Sequence, residues 1–324
     1  MSIFIKKSGI LTTVQDTGRN GFRRFGINPN GAMDAQAVRL INILLGNDDT
    51  EAVLEMHFPA PVFEFEEDAV IALGGADFGA KINGQPTENW RPFYVERGNE
   101  LTFEKKIFGI RAYLAVKGGF ELEKWLDSFS TNLRAEIGGF EGRTLQKNDR
   151  VFFNSKFQTP NSKFDYKISS SLSPNYQKSA AKIRVIEGAE FEMLTALSEL
   201  NFLKREFTIT PNSDRMGFRL RGEPLYLLDN IELVSSAVNF GTIQLLPDGQ
   251  MIILMADHQT SGGYPRIANV VSADLPILAQ LNPNKTVGFE IVSQEEAENL
   301  LMNFENELNY LKFGVKSKLQ NGFN

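Results

Sequence analysis

Two short apolar runs, Ile243-Gln244-Leu245-Leu246 and Met251-Ile252-Ile253-Leu254-Met255, flank the turn tripeptide Pro247-Asp248-Gly249. Turn chemistry between two such runs specifies a β-hairpin. The second run passes straight into Asp257-His258-Gln259-Thr260-Ser261-Gly262-Gly263-Tyr264. A carboxylate, an imidazole, an amide, hydroxyls and a Gly-Gly pair therefore project from the end of a buried strand. Polar, glycine-permissive loops at strand ends are where scaffolds place binding and catalytic groups, although a solvated turn has the same composition. Polar clusters of the same style recur elsewhere in the chain, which favours a site.

The same strand-and-turn grammar runs through the whole sequence. Val62–Phe65, Ala69–Leu73, Phe93–Val95, Arg111–Val116, Ile183–Ile186, Phe207–Thr210 and Val287–Val292 are β-type runs separated by Gly, Asn, Asp and Pro. Asn83-Gly84 is a type I′ turn signal after Ala80–Ile82. Many of the 26 phenylalanines fall at strand positions, as the core of a barrel or sandwich requires.

Helices are few. Ala37, Leu40, Ile41, Leu44 and Leu45 recur at helical spacing between an N-cap at Asp34 and a stop at Gly46. Asp274–Leu281 is a second segment, with Pro276 in its first turn. The third starts at Ser293 with Glu296 as its capping-box partner, and Leu300, Leu301, Phe304, Leu308 and Leu311 share a face. The stretch from Asn154 to Lys182 is rich in Ser, Asn and Lys. It reads as a polar linker or excursion, 156–182, between β-rich halves at 1–155 and 183–324.

Composition narrows the chemistry. A net charge of −6 speaks against nucleic acid and anionic membranes as partners. Cysteine is absent, which removes disulfides, thiolate metal sites and thiol nucleophiles. With His57 and His258 the only histidines, a His-rich metal site is excluded and no metal is expected. No apolar stretch has membrane-spanning length, and the expected compartment is the cytoplasm.

Three further clusters carry polar chemistry. Gln15-Asp16-Thr17-Gly18-Arg19-Asn20-Gly21 sets an acid and a base three residues apart in a glycine-rich loop ahead of Gly31 and Asp34. They either bind a polar ligand or pair with each other. Ser128, Ser130 and Thr131, followed by Gly138-Gly139 and Gly142-Arg143, offer hydroxyls and a guanidinium for a carboxylate or phosphate, or form an ordinary solvated loop. Asn212-Ser213-Asp214-Arg215-Met216-Gly217 again pairs acid with base at a turn. Neither the P-loop nor the dinucleotide fingerprint occurs.

The blocks QDTGRNGFRRFGINPNGAMD, GIRAYLAVKGGF, NSDRMGFRL and ADHQTSGGYP together resemble the signatures of the allophanate hydrolase subunit 2 family of biotin-dependent carboxyltransferase type. That family includes the C subunit of 5-oxoprolinase, the KipI antagonist proteins and the second half of the urea carboxylase transferase domain. The resemblance runs from about Gly9 to Ala297. It implies a mostly β fold of two cyclophilin-like β-barrel domains with a few short helices. It also implies an ATP-dependent amide (lactam) hydrolase component, inactive alone, that opens 5-oxo-L-proline to L-glutamate. The implied partners are a KipI-like homologue of the B subunit, and the lactam hydrolase that forms the A subunit, with Mg-ATP shared with the partner. No biotin is expected on this chain, which has no biotinyl-lysine context. A urea or allophanate carboxyltransferase module and a non-enzymatic KipI antagonist-type regulator are the alternatives.

On this reading Asp16, Asp214 and Asp257 are the catalytic candidates. Gln15, Arg19, Asp34, Ser130, Thr131, Arg143, Arg215, Ser235, Gln244, Gln259, Thr260, Gly262, Gly263 and Tyr264 are the substrate- and nucleotide-binding candidates. The loops Gln15–Arg19 and Asp257–Tyr264 are expected to face one cavity. Asp257, at the end of an apolar strand, needs a donor, for which Arg19 or Arg266 is available. One departure stands out: Phe129 occupies the centre of a block where relatives carry an arginine.

Overall fold

The computed structural model describes residues 1–154, 166–169, 172, 176, 181–229 and 232–321. The chain is mostly β, as its grammar requires, and divides into two units. Unit one comprises Met1–Arg19, Asp34–Tyr176 and Glu305–Asn324; unit two comprises Asn20–Met33 and Gln177–Phe304.

Unit one contains β1 (Ser2–Lys7), β2 (Thr12–Gln15), β3 (Val53–Met56), β4 (Val62–Phe65), β5 (Ala69–Asp77) and β6 (Ala80–Ile82). It continues with β7 (Gln85–Pro86), β8 (Pro92–Val95), β9 (Glu100–Phe103), β10 (Phe108–Val116) and β11 (Arg150–Phe152). They form a six-stranded sheet, β11-β1-β4-β9-β6-β7, and a five-stranded one, β2-β3-β10-β5-β8. Alternate residues of both, among them Ile3, Ile5, Leu54, Phe63, Phe65, Ile71 and Leu114, meet in one core. Helix α1 (Ala35–Leu45) lies where its 3.6-residue pattern predicts. The Asp34 carboxylate accepts from the Ala37 amide, and Gly46 ends the helix at φ 71, a left-handed conformation that glycine adopts without cost.

Unit two is a closed seven-stranded barrel. Its strands are β12 (Ala181–Glu187), β13 (Phe207–Ile209), β14 (Gly217–Arg221), β16 (Thr242–Leu245), β17 (Met251–Leu254), β19 (Arg266–Val270) and β20 (Thr286–Ile291). Their order around the barrel is β12-β19-β16-β17-β14-β13-β20, and a short ribbon pairs β15 (Ser236–Ala237) with β18 (Ser261–Gly262). The predicted hairpin is β16–β17, with Ile243 opposite Ile253 and Leu245 opposite Met251. Phenylalanines fill the interior: the Phe202 and Phe289 rings stack at 4.7 Å, and Phe207 lies 6.0 Å from Phe289.

Helix α3 (Leu275–Ala279) carries Pro276 at its start as expected. Its cap residue Asp274 makes no capping bond and instead pairs with Arg184. Helix α4 (Gln294–Asn321) begins with the Ser293 hydroxyl accepting from the Glu296 amide. Helix α2 (Ala196–Lys204) has no clear counterpart in the sequence pattern. Its Leu197 and Leu200 face solvent, so the apolar periodicity that betrays other helices is broken, although Thr195 caps it through the Ser198 amide.

The units do not follow the chain-order division into 1–155 and 183–324. Asn20–Met33 groups with the barrel because Met33 lies in the barrel's core and Arg23 hydrogen-bonds Asn239. From Glu305 onward α4 groups with unit one, where Leu308 is buried and Arg39 pairs with Glu305. Most of the expected linker 156–182 lies outside the described residues. Of those described within it, Tyr166 and Tyr176 are tied to unit one, donating to the Leu44 carbonyl and the Asp34 carboxylate, whereas Ala181 and Lys182 open β12 of unit two. No helix among the described residues is long and apolar enough to cross a membrane.

Candidate functional site

In unit one the glycine-rich loop and the Ser128–Thr131 block close on each other. Asp16 Oδ1 accepts from the Ser128 hydroxyl (2.8 Å), the Ser130 hydroxyl (2.5 Å) and the Gly18 amide (2.7 Å). Its Oδ2 accepts from the Phe129 amide at 2.6 Å. Arg19 is fully buried beside this block. Its guanidinium donates to the Ser130 carbonyl and lies 4.8 Å over the Trp125 ring. Thr131 donates to the Val14 carbonyl, and Gln15 Nε2 donates to Thr13 Oγ1 and to the Thr131 carbonyl. This cluster is largely buried and most of its polar atoms bond one another; Gln15 Oε1 and the Nε atom of Arg19 have no hydrogen-bond partner among the described residues. With four donors on its two oxygens, three of them on Oδ1, Asp16 fastens the loops around it.

The remaining unit-one candidates are also committed. Asp34 caps α1 and accepts from the Tyr176 hydroxyl at 2.5 Å, while its own amide donates to the Tyr113 hydroxyl. Arg143 forks onto Asp149 and Glu141. Lys124 Nζ sits 4.9 Å over the Phe129 ring.

In unit two the donor for Asp257 is Arg215, not Arg19 or Arg266. Arg215 Nε reaches Asp257 Oδ2 at 2.8 Å and Nη2 reaches Oδ1 at 3.0 Å, a bidentate pair. Nη2 also donates to the Gly31 carbonyl, and Asn30 donates to Asp257 Oδ1 at 2.7 Å. Arg266 instead pairs with Glu190. Asn28 donates to the Asp257 and His258 carbonyls. Asn20–Met33 is thus laced to the strand end by groups that sequence reasoning missed, because uncharged Asn side chains carry no pairing signal.

A pocket of about 520 Å³ opens beside this strand end and brings together Asp214, Gln244, Gln259 and Tyr264 of the sequence candidates, with Arg219 in addition. Asp214 caps a turn through the Met216 and Gly217 amides. Gln244 is buried and donates to the Tyr264 carbonyl, while Gln259 donates to Gln244 Oε1. A Cβ at Gly262 would stand 2.7 Å from Gln244 Nε2, so a larger residue there would displace that carboxamide. Gly263 and Tyr264 line a second pocket of about 570 Å³ with Tyr226, Leu227 and Leu233. Thr260 is half-buried and Ser235 is exposed; neither lines these pockets.

His258 is buried, and its Nδ1 lies 2.5 Å from the Gln259 carbonyl, which requires an N–H on that nitrogen. Burial first, and the Arg23 charge second among the lowering influences, push its pKa below the usual histidine range. The unfolded chain takes up this proton near pH ~6.5 and the folded chain only at lower pH. Stability from this residue is therefore complete above that pH and falls as acid is added. Urea titrations from pH 7.5 to 5 should show His258→Gln losing less stability than the parent; parallel curves would remove His258 as a contributor.

A seven-stranded barrel with a polar strand end, joined in one chain to a second β-rich unit, is the architecture of a carboxyltransferase-type domain. The chain belongs to that family: the profile of the carboxyltransferase domain, subdomain A and B, matches residues 25–291. It is 39% identical over 306 residues to the C subunit of 5-oxoprolinase from Haemophilus influenzae, covering 94% of this chain and 96% of that one. The Escherichia coli protein of the same name is 36% identical, covering 90% and 92%. The urea amidolyase structure of K. lactis superposes with a TM-score of 0.89 at 27% identity, covering 96% of this chain but 20% of that one.

Proposed function

We propose that this chain is the C subunit of an ATP-dependent 5-oxoprolinase. On this reading it acts in the cytoplasm, and only when assembled with a B-subunit homologue and with the lactam hydrolase that forms the A subunit. The observation that carries this reading is the end-to-end match to the Haemophilus influenzae protein, with more than nine-tenths of both chains aligned. The reaction adds water across the lactam C–N bond of 5-oxo-L-proline, giving the carboxylate and the amine of L-glutamate. In the assembly Mg-ATP would supply the phosphoryl group that activates the amide oxygen, leaving as inorganic phosphate with ADP as the other product. The arginines put forward from the sequence do not fit a triphosphate, since Arg143 and Arg215 are spent on carboxylates and Arg19 on the Ser130 carbonyl and Trp125. No phosphoryl step is therefore assigned to them.

The pocket beside Gln259 suits a small polar substrate, and the Asp257–Arg215 pair holds the loop that borders it. The purified chain should show no 5-oxoproline-dependent release of ADP, and the co-expressed assembly should show it. Robust turnover by the chain alone would overturn the requirement for partners. Likeness to the K. lactis protein supports a second reading as a carboxyl-transfer module, which urea-dependent rather than 5-oxoproline-dependent turnover by the assembly would establish.

A further inference from the structure

Strands β14, β17 and β16 are neighbours in the barrel, and their registers place Arg219 opposite Ile252 and Ile252 opposite Gln244. Alternation sends Phe218, Leu220, Ile243, Leu245 and Ile253 into the core. Arg219, Ile252 and Gln244 accordingly form one row on the outer face, and all three line the 520 Å³ pocket. At a strand spacing of about 4.8 Å, the backbones of Arg219 and Gln244 stand ~10 Å apart across this row. A cation therefore marks one end, an aliphatic side chain the middle and a carboxamide pair the other end.

Each end has unused capacity. The Arg219 guanidinium makes no ion pair or hydrogen bond among the described residues. At the other end the bond from Gln244 Nε2 to the Tyr264 carbonyl fixes which way the Gln244 amide faces. Gln244 Oε1 then takes one N–H of Gln259. Gln259 is left with its Oε1 and a second N–H. Asp214 and Asp248 border the pocket too, but each turns Oδ1 back onto backbone amides of its own turn, at Met216 and Gly217 and at Gln250.

We propose that this row is a subsite for a small cyclic amide carrying a carboxylate, with Arg219 holding the carboxylate, Ile252 supporting the ring methylenes and the Gln259 carboxamide reading the lactam edge. A ring lactam is held cis, so its N–H and C=O point the same way and complement the donor and acceptor that Gln259 retains. Arg219 supplies the charge-assisted bond that selects the carboxylate. The assignment rests on the 5-oxoprolinase reading only for the identity of the ligand, since the donor–acceptor pattern stands on the barrel's own register.

The test uses the co-expressed assembly and the full-length chain. In the assembly, Arg219→Ala should raise KM for 5-oxo-L-proline by about tenfold or more with kcat little changed, the signature of a lost binding contact. It should also shrink the preference for 5-oxo-L-proline over 2-pyrrolidinone, which lacks the carboxylate. Gln259→Leu should raise KM for both compounds. Separately, the Ile252 methyl resonance of the full-length chain should shift on titration with 5-oxo-L-proline and shift less in Arg219→Ala. An active assembly whose KM and preference ignore both substitutions overturns the subsite and leaves the function intact. Shifts at Ile252 that depend on Arg219, with an assembly that never opens 5-oxoproline, overturn the function and leave the subsite intact. Absence of both turnover and shifts overturns both.

Discussion

Asp257→Ala is expected to destabilise the barrel unit by about 3 kcal/mol, because it strands Arg215, whose side chain is only 9% exposed, without its bidentate partner. The loss exceeds that of a surface ion pair for a structural reason. Asp257 also receives Asn30, and Arg215 also holds the Gly31 carbonyl, so one carboxylate fastens Asn20–Met33 to the end of β17. For a chain of this size, a loss of that order lowers the melting temperature by roughly 6–12 °C. Asp257→Asn keeps one acceptor and should lose less. Thermal melts and 5-oxoproline-dependent ADP release on the same preparations separate two roles. Activity that falls in step with stability identifies a fastening residue; an Asp257→Asn assembly that melts normally yet is inactive would return Asp257 to the chemistry.

The partner of Asp257 shows where reading from the sequence stopped. Its need for a donor was legible, since a carboxylate at the end of Met251–Leu254 has little water to solvate it. Which arginine answers was not. Gly217 pairs with Leu254 across β14 and β17, so the register of a non-local pairing brings Arg215, two residues earlier, to Asp257. Charge spacing along the chain contains no such register. Local signals fared better: the Asp34 and Ser293 caps, the Gly46 stop and the β16–β17 hairpin all depend on contacts within a few residues. Helix α2 escaped because two of its leucines face solvent. Arg219 escaped for a related reason. It sits in the outward phase of β14, where a charged residue is the ordinary expectation, and only a guanidinium without an ion pair or hydrogen bond among the described residues, on the row that Gln244 shares, distinguishes it.

Asp16→Ala should cost more, about 4 kcal/mol, since it leaves two buried hydroxyls and two backbone amides without their acceptor at once. Ser128 and Ser130 are fully buried, so water cannot replace the carboxylate without opening the loop. The consequence should propagate to Arg19, which donates to the Ser130 carbonyl and lies over Trp125. Opening the loop hydrates that indole, and the expected readout is a red shift in tryptophan emission together with an earlier urea midpoint. Asp16→Asn retains one acceptor oxygen and should fall between parent and alanine variant in both measurements. The sequence put Asp16 forward as a catalytic acid or base, and that role predicts a different pattern. A catalytic carboxylate would give an Asp16→Asn chain with the parent's urea midpoint and emission maximum and an assembly that has lost turnover. With four buried donors depending on its two oxygens, Asp16 acts as a fastener, so stability, emission and turnover should instead decline together.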